Sequence, residues 1–168
     1  VLKSSQEIEL MRQAGRIAGE VLHELSLAVK PGITTASLDN LALRCIRKNN
    51  AEPAFLGYNG FPACICTSIN EEVVHGIPGL RRLKSGDIIS IDVGVLYKGY
   101  YGDAAATFPV GKVSPLAAQL IEVTRESLNQ AVNKAVPGNR LYDISYAVQS
   151  YVETKGFSVV RNYVGHGI

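Results

Sequence analysis

Apolar and polar positions along this chain follow two different periods. Met11, Ala14, Leu22 and Leu25 recur at helical spacing, and Leu41, Ala42, Cys45 and Ile46 trace the i, i+3, i+4 stripe of an amphipathic helix. The same spacings return at Ala117, Leu120, Leu128 and Ala131, and again at Ala147, Val148, Tyr151 and Val152. Between these helical pairs the period changes. Ile88-Ile-Ser-Ile-Asp-Val-Gly-Val-Leu96 is apolar and β-branched, the pattern of a buried strand. Tyr97-Lys98-Gly99-Tyr100 reads as a hairpin turn, leading into a return strand through Tyr101–Phe108. Asn70-Glu-Glu-Val-Val-His75 reads as a strand that ends in the Gly/Pro loop Gly76–Gly79, and a further strand is expected near Ser158–Tyr163. Helices and strands in this order make an α+β chain.

The helical pairs are a repeat, at an offset of 106 residues without gaps. Val29-Lys-Pro31-Gly32 aligns with Ala135-Val-Pro137-Gly138, and Ser37-Leu38 with Asp143-Ile144, each read as a helix N-cap followed by an apolar residue. Each half therefore begins with helix, Pro-Gly turn, helix. The first half continues through strands to about Gly111. Carried through the same offset, the second half would extend well past Ile168, so the chain is expected to lack that half's closing sheet. The organisation read from the sequence is one domain over 1–168, with 1–112 as first half and 113–168 as the start of a truncated second half.

Composition narrows the class. The 168 residues are 46% hydrophobic and 19% charged, the balance of a chain with a packed core. The net charge of +2 demands neither specific nucleic acid nor an anionic membrane, and Arg81-Arg82-Leu83-Lys84 reads as a solvated loop. No apolar run approaches the ~20 residues of a membrane span. Lys3, Glu7, Glu9, Arg12, Arg16 and Glu20 exclude a secretory signal in the first 30 residues. Three cysteines without zinc-type spacing fit reduced thiols in a cytoplasmic protein.

The chemistry concentrates at Asp92 and Asp103. With the turn centred between Tyr97 and Lys98, the two are direct cross-strand neighbours on one face, with Cβ atoms about 5 Å apart. Two buried like charges so close need a shared proton or cation, and a divalent metal is the simplest answer. A shifted turn would place the two groups on opposite faces instead. Of the three histidines, His23 sits among Val21, Leu22 and Leu25 in the first helix and reads as structural. His75 lies at a strand end, where sites are built, and His166 lies in Gly165-His-Gly167, where glycines allow close approach. Imidazole with carboxylates is a ligand set for Mn, Fe, Co and Zn.

Taken together, Asn70-Glu-Glu-Val-Val-His75-Gly-Ile-Pro78, Ile91-Asp92-Val-Gly94, Gly102-Asp103-Ala-Ala-Ala-Thr-Phe108 and Gly165-His166-Gly-Ile168 resemble the type I methionine aminopeptidases, in that family's order and spacing. The resemblance covers essentially the whole chain. It implies the pita-bread fold of two pseudo-symmetric halves, in agreement with the repeat. It implies two divalent metal ions, with Asp92 binding one through both oxygens, Asp103 bridging the two, and His166 binding the other. His75 is implied to face the substrate and stabilise the transition state. Tyr58, Phe61 and Cys66 fall where the family lines its pocket for the methionine side chain, a place suited to sulfur and aromatic groups. The family also uses two glutamates and a further histidine that lie beyond Ile168.

The activity so implied is removal of the initiator methionine from proteins whose second residue is small, in the cytoplasm, on N-terminal peptides of nascent proteins and in association with the ribosome. In that chemistry the metals lower the pKa of a water and polarise the scissile carbonyl. Two rivals stand beside it: a pita-bread peptidase cleaving before proline, and a non-catalytic binding module on the same fold. With three of five metal ligands present, the chain itself is a candidate for inactivity.

Overall fold

The computed structural model describes residues 2–168. The elements run α1 (Ser5–Ala28), α2 (Thr35–Lys48), β1 (Glu52–Pro53), a 3-10 turn (Tyr58–Gly60), β2 (Ile65–Ile69), β3 (Ile88–Tyr97), β4 (Tyr100–Pro109), α3 (Pro115–Lys134) and α4 (Leu141–Thr154). They fall into two compact units that part between Val113 and Ser114.

In the first unit, β3 is the centre of an antiparallel sheet. It pairs with β4 along one edge and with β2 and the short β1 along the other. Alternation along β3 sets two faces. Ile89, Ile91, Val93 and Val95 are fully buried, and join Ile17, Val21 and Leu25 of α1 and Leu38, Ala42 and Ile46 of α2 in one core. The helical stripe is thus rotated slightly from the sequence pattern: Leu22, Leu41 and Cys45 pack at its edge. Helix α1 presses against the sheet at Gly102, where a Cβ would stand 2.4 Å from the backbone of Ala14. A side chain there would push helix and hairpin apart.

Three expectations are corrected. The hairpin turn is Lys98-Gly99, centred one residue later than expected, because both residues take positive φ (48° and 84°) as a two-residue turn requires. The segment from Asn70 to His75 is not a strand. Strand β2 ends at Ile69, where Asn70 turns left-handed (φ 56°) and its amide bonds back to the Ile88 carbonyl at 3.0 Å. Nor does Ser158–Tyr163 form a strand. Its counterpart in the first half, β1, exists by pairing with β3, and among the described residues the second unit holds no such partner.

The second unit is the packed pair α3 and α4. The repeat is visible in its bounds: Thr35–Lys48 and Leu141–Thr154 are displaced by the same 106 residues, and the turn glycines Gly32 and Gly138 share positive φ (90° and 95°). Ser37 and Asp143 are not the N-caps. The caps are Thr34 and Arg140, three residues earlier. Thr34 Oγ1 accepts from the Ser37 amide at 3.1 Å, while Asp143 Oδ2 accepts from the Arg140 amide at 2.7 Å. Both halves close the first turn with a bond between the same two repeat positions, run in opposite directions.

Candidate metal and substrate site

The sheet face turned away from α1 and α2 carries the candidate chemistry. Asp92 pairs with Ala105, and Asp103 with Gly94. The two aspartates are therefore diagonal neighbours rather than a direct pair, with Cα atoms roughly 7–8 Å apart. The turn moved the register by two residues, and a shift of two preserves the face where a shift of one would have reversed it. Asp92 is half-buried with its Oδ1 sealed from solvent, and Asp103 is exposed. Two hard carboxylates on one face, one of them with an oxygen shielded from water, fit a divalent cation.

Cys66 on β2 is the cross-strand neighbour of Asp92 on the other edge of β3. It is 5% exposed, and burial pushes its thiol up to about 12, with the charges of Asp92 and Asp103 adding to the effect. Both carboxylates are thus within electrostatic reach of one sulfur. Strand β2 is held there by Asp39 of α2, whose Oδ1 accepts from the amides of Cys64 and Ile65 at 2.8 and 3.1 Å. All three cysteines are free thiols.

Tyr58 opens the 3-10 turn and is exposed, and Phe61 closes it half-buried, its amide donating to the Tyr58 carbonyl at 2.9 Å. Phe55, which the sequence reading missed, belongs with them. Its ring lies over Gly94, where a Cβ would come within 2.3 Å of it. Gly94 is the register partner of Asp103, so the ring stands beside the carboxylates. The available signal was Gly94 itself, a glycine inside an otherwise β-branched strand, which marks close approach by another group.

His75 lies in the loop after β2 and is exposed. Its φ of 60° is left-handed, which costs a non-glycine residue roughly 1–2 kcal/mol. The loop is pinned at three places. Glu72 accepts from the Ile69 amide at 2.8 Å and pairs with Arg81. Gly76 bonds to β2 through both its carbonyl and its amide. Gly79 exchanges bonds with the Thr35 hydroxyl at 2.8 and 3.1 Å. Arg81 and Arg82 are accordingly tied down, Arg82 to the Gly32 carbonyl at 2.7 Å, rather than merely solvated.

His166 belongs to the second unit, is exposed, and has Nδ1 3.1 Å from the Gly167 carbonyl oxygen. Among the described residues no group of three or more His, Cys, Asp or Glu side chains is placed to hold a metal ion. What the first unit places on one sheet face is the carboxylate pair Asp92 and Asp103. His23 on α1 is exposed and stands apart from this chemistry. A cavity of about 560 Å³ in the second unit, lined by Gln130, Lys134, Asp143, Tyr146 and Tyr151 among others, contains none of the expected site residues. No helix among the described residues is long and apolar enough to cross a membrane.

Known proteins match this arrangement over the whole chain. A methionine aminopeptidase of Clostridium acetobutylicum is 60% identical over 169 residues, covering 100% of this chain and 68% of the relative. Methionine aminopeptidase 1 of Bacillus subtilis is 54% identical, with the same coverage of both. The crystal structure of a methionine aminopeptidase from Rickettsia prowazekii superposes with a TM-score of 0.97 at 45% identity, again over 100% of this chain and 68% of that one. The fold is the pita-bread fold, of which this chain spans the first half and the beginning of the second. The family model of metallopeptidase family M24 matches residues 9–168, and the chain belongs to that family.

Proposed function

We propose that this chain carries the first half and the opening helices of a methionine aminopeptidase, an enzyme that removes the initiator methionine from proteins whose second residue is small. The observation that carries the reading is the same-face pair Asp92 and Asp103 in a chain so closely related to methionine aminopeptidases. Two divalent ions, of Mn, Fe, Co or Zn, would when bound supply Lewis-acid chemistry for hydrolysis of the peptide bond. Asp92 and Asp103 would hold them from the sheet, with His166 as the imidazole ligand that the family resemblance implies. His75 faces the substrate and donates toward the charge that develops on the carbonyl oxygen. Phe55, Tyr58, Phe61 and Cys66 form the wall for the methionine side chain. Cys66, held as a neutral thiol, suits a thioether better than a thiolate would.

The segments 1–112 and 113–168 belong to one catalytic domain in this reading. The substrates are N-terminal peptides of nascent proteins, met in the cytoplasm at the ribosome. A proline-directed peptidase is the nearer rival, and the His75-Gly-Ile-Pro78 context of the type I aminopeptidases weighs against it.

The test is methionine release from a Met-Ala-Ser peptide, with Mn²⁺ or Co²⁺ and with a chelator, beside an Xaa-Pro peptide. Metal-dependent release from the first peptide alone is expected of an active chain. Release from the proline peptide would replace this reading with its rival. No release from either would mean that Asp92, Asp103 and His166 by themselves do not make an active site.

A further inference from the structure

Strand β2 and the loop after it are joined at a single residue, Gly76. The Thr67 amide donates to the Gly76 carbonyl at 2.8 Å, and the Gly76 amide donates to the Ser68 hydroxyl at 3.2 Å. The approach is so close that a Cβ on Gly76 would stand 2.1 Å from the Thr67 carbonyl oxygen. The residue immediately before this clip is His75, in its left-handed conformation. A non-glycine residue keeps such a backbone only where its surroundings over-determine it, and the clip at the next residue is one such constraint.

Ser68 is 4% exposed and sits on the same sheet face as the carboxylates. It pairs with Ser90, two residues along β3 from Asp92, as Cys66 two residues back pairs with Asp92 itself. Its hydroxyl therefore ties the loop to the strand that flanks the candidate metal ligands. Ser90 on the same face is engaged elsewhere, with Thr107 at 2.8 Å, so only one of these two hydroxyls serves the loop.

We infer that Ser68 is a positioning residue: through the Gly76 amide it fixes the backbone of His75 and so sets where the imidazole stands relative to the Asp92 and Asp103 face. The catalytic part of this inference rests on the reading of His75 as the substrate-facing group given above. The structural part does not. Loss of the hydroxyl frees one of the two bonds at Gly76, and the loop is then held at that point by the Thr67 amide alone.

The experiment compares Ser68→Ala, Ser68→Thr and Ser90→Ala by amide exchange and by the backbone HN–Hα coupling of His75. In Ser68→Ala the Thr67 amide is expected to exchange about tenfold faster, as for one lost hydrogen bond, and the His75 coupling to move away from its left-handed value. Ile91 and Val93 amides should be unchanged, Ser68→Thr should restore both readouts, and Ser90→Ala should leave both alone. Unchanged Thr67 exchange and His75 coupling in Ser68→Ala would overturn the inference, whether or not the chain cleaves peptides. In protein that releases methionine, Ser68→Ala should lower kcat with little change in KM, and should have no further effect in a His75→Ala background. Additive losses in that double variant would overturn the catalytic part. Absence of release from the wild-type chain bears on its activity alone, and the exchange measurement still decides the role of Ser68.

Discussion

At Gly102 a single missing side chain lets helix α1 lie on the sheet. The would-be Cβ meets backbone atoms of Ala14 and Gly15, which cannot turn aside. Gly94 is equally crowded, but by the ring of Phe55, which can rotate. Gly102→Ala is therefore expected to cost about 1–3 kcal/mol or more, as overpacking does, and Gly94→Ala less. Urea midpoints of the two variants check the order, and equal losses would contradict it. Asp103 makes the opposite kind of residue-scale prediction. It is exposed, so Asp103→Asn should leave stability within about 0.5 kcal/mol. It should nevertheless weaken Mn²⁺ binding by more than about tenfold in calorimetric titration, because an amide lacks the carboxylate's charge. Undiminished binding would remove Asp103 from the ligand set. The residue types at these positions were legible in the sequence, and so was the shared face of the two aspartates. Their diagonal spacing was not, because it depends on which two residues of Tyr97-Lys98-Gly99-Tyr100 adopt positive φ.

At the scale of elements, the helices were legible because a 3.6-residue stripe and a 106-residue offset are properties of the chain alone. Their exact starts were not. Ser37 and Asp143 have the composition of N-caps, yet the helices begin at Thr35 and Leu141, and these residues close the first turn from inside it. Thr34 supplies the α2 cap, so Thr34→Ala should destabilise by about 1 kcal/mol, and Ser37→Ala by less since its amide bond survives. Thermal melts of both variants test the assignment, and a larger loss for Ser37→Ala would reverse it. The strands divide more sharply. Strand β3 carried its own signal in a β-branched run, whereas Asn70–His75 and Ser158–Tyr163 carried similar residues and form no strand. A strand needs a partner with free backbone groups, and residue types do not report whether one is there.

At the scale of the whole molecule, burial itself becomes a chemical variable. Cys64 is 2% exposed, and burial pushes its thiol up to about 11 from the ordinary 9.0, with the Asp39 carboxylate adding repulsion. The folded chain keeps a proton there that the unfolded chain releases near pH 9. The stability this contributes is complete below that value and is lost as pH rises toward 11. Urea midpoints between pH 8 and 11 should therefore fall more steeply for the wild type than for Cys64→Ala, and parallel curves would refute the shift. The composition, the two kinds of period, the repeat and the joint set of aspartate and histidine motifs were determined by the sequence alone, because each depends only on residue type and spacing. The left-handed backbone of His75 beside the Gly76 clip, the ring of Phe55 over Gly94 and the diagonal of Asp92 and Asp103 were decided only in the folded chain. Each is set by backbone conformation, hydrogen bonds and close contacts that form only on folding, and residue type and spacing alone do not specify them.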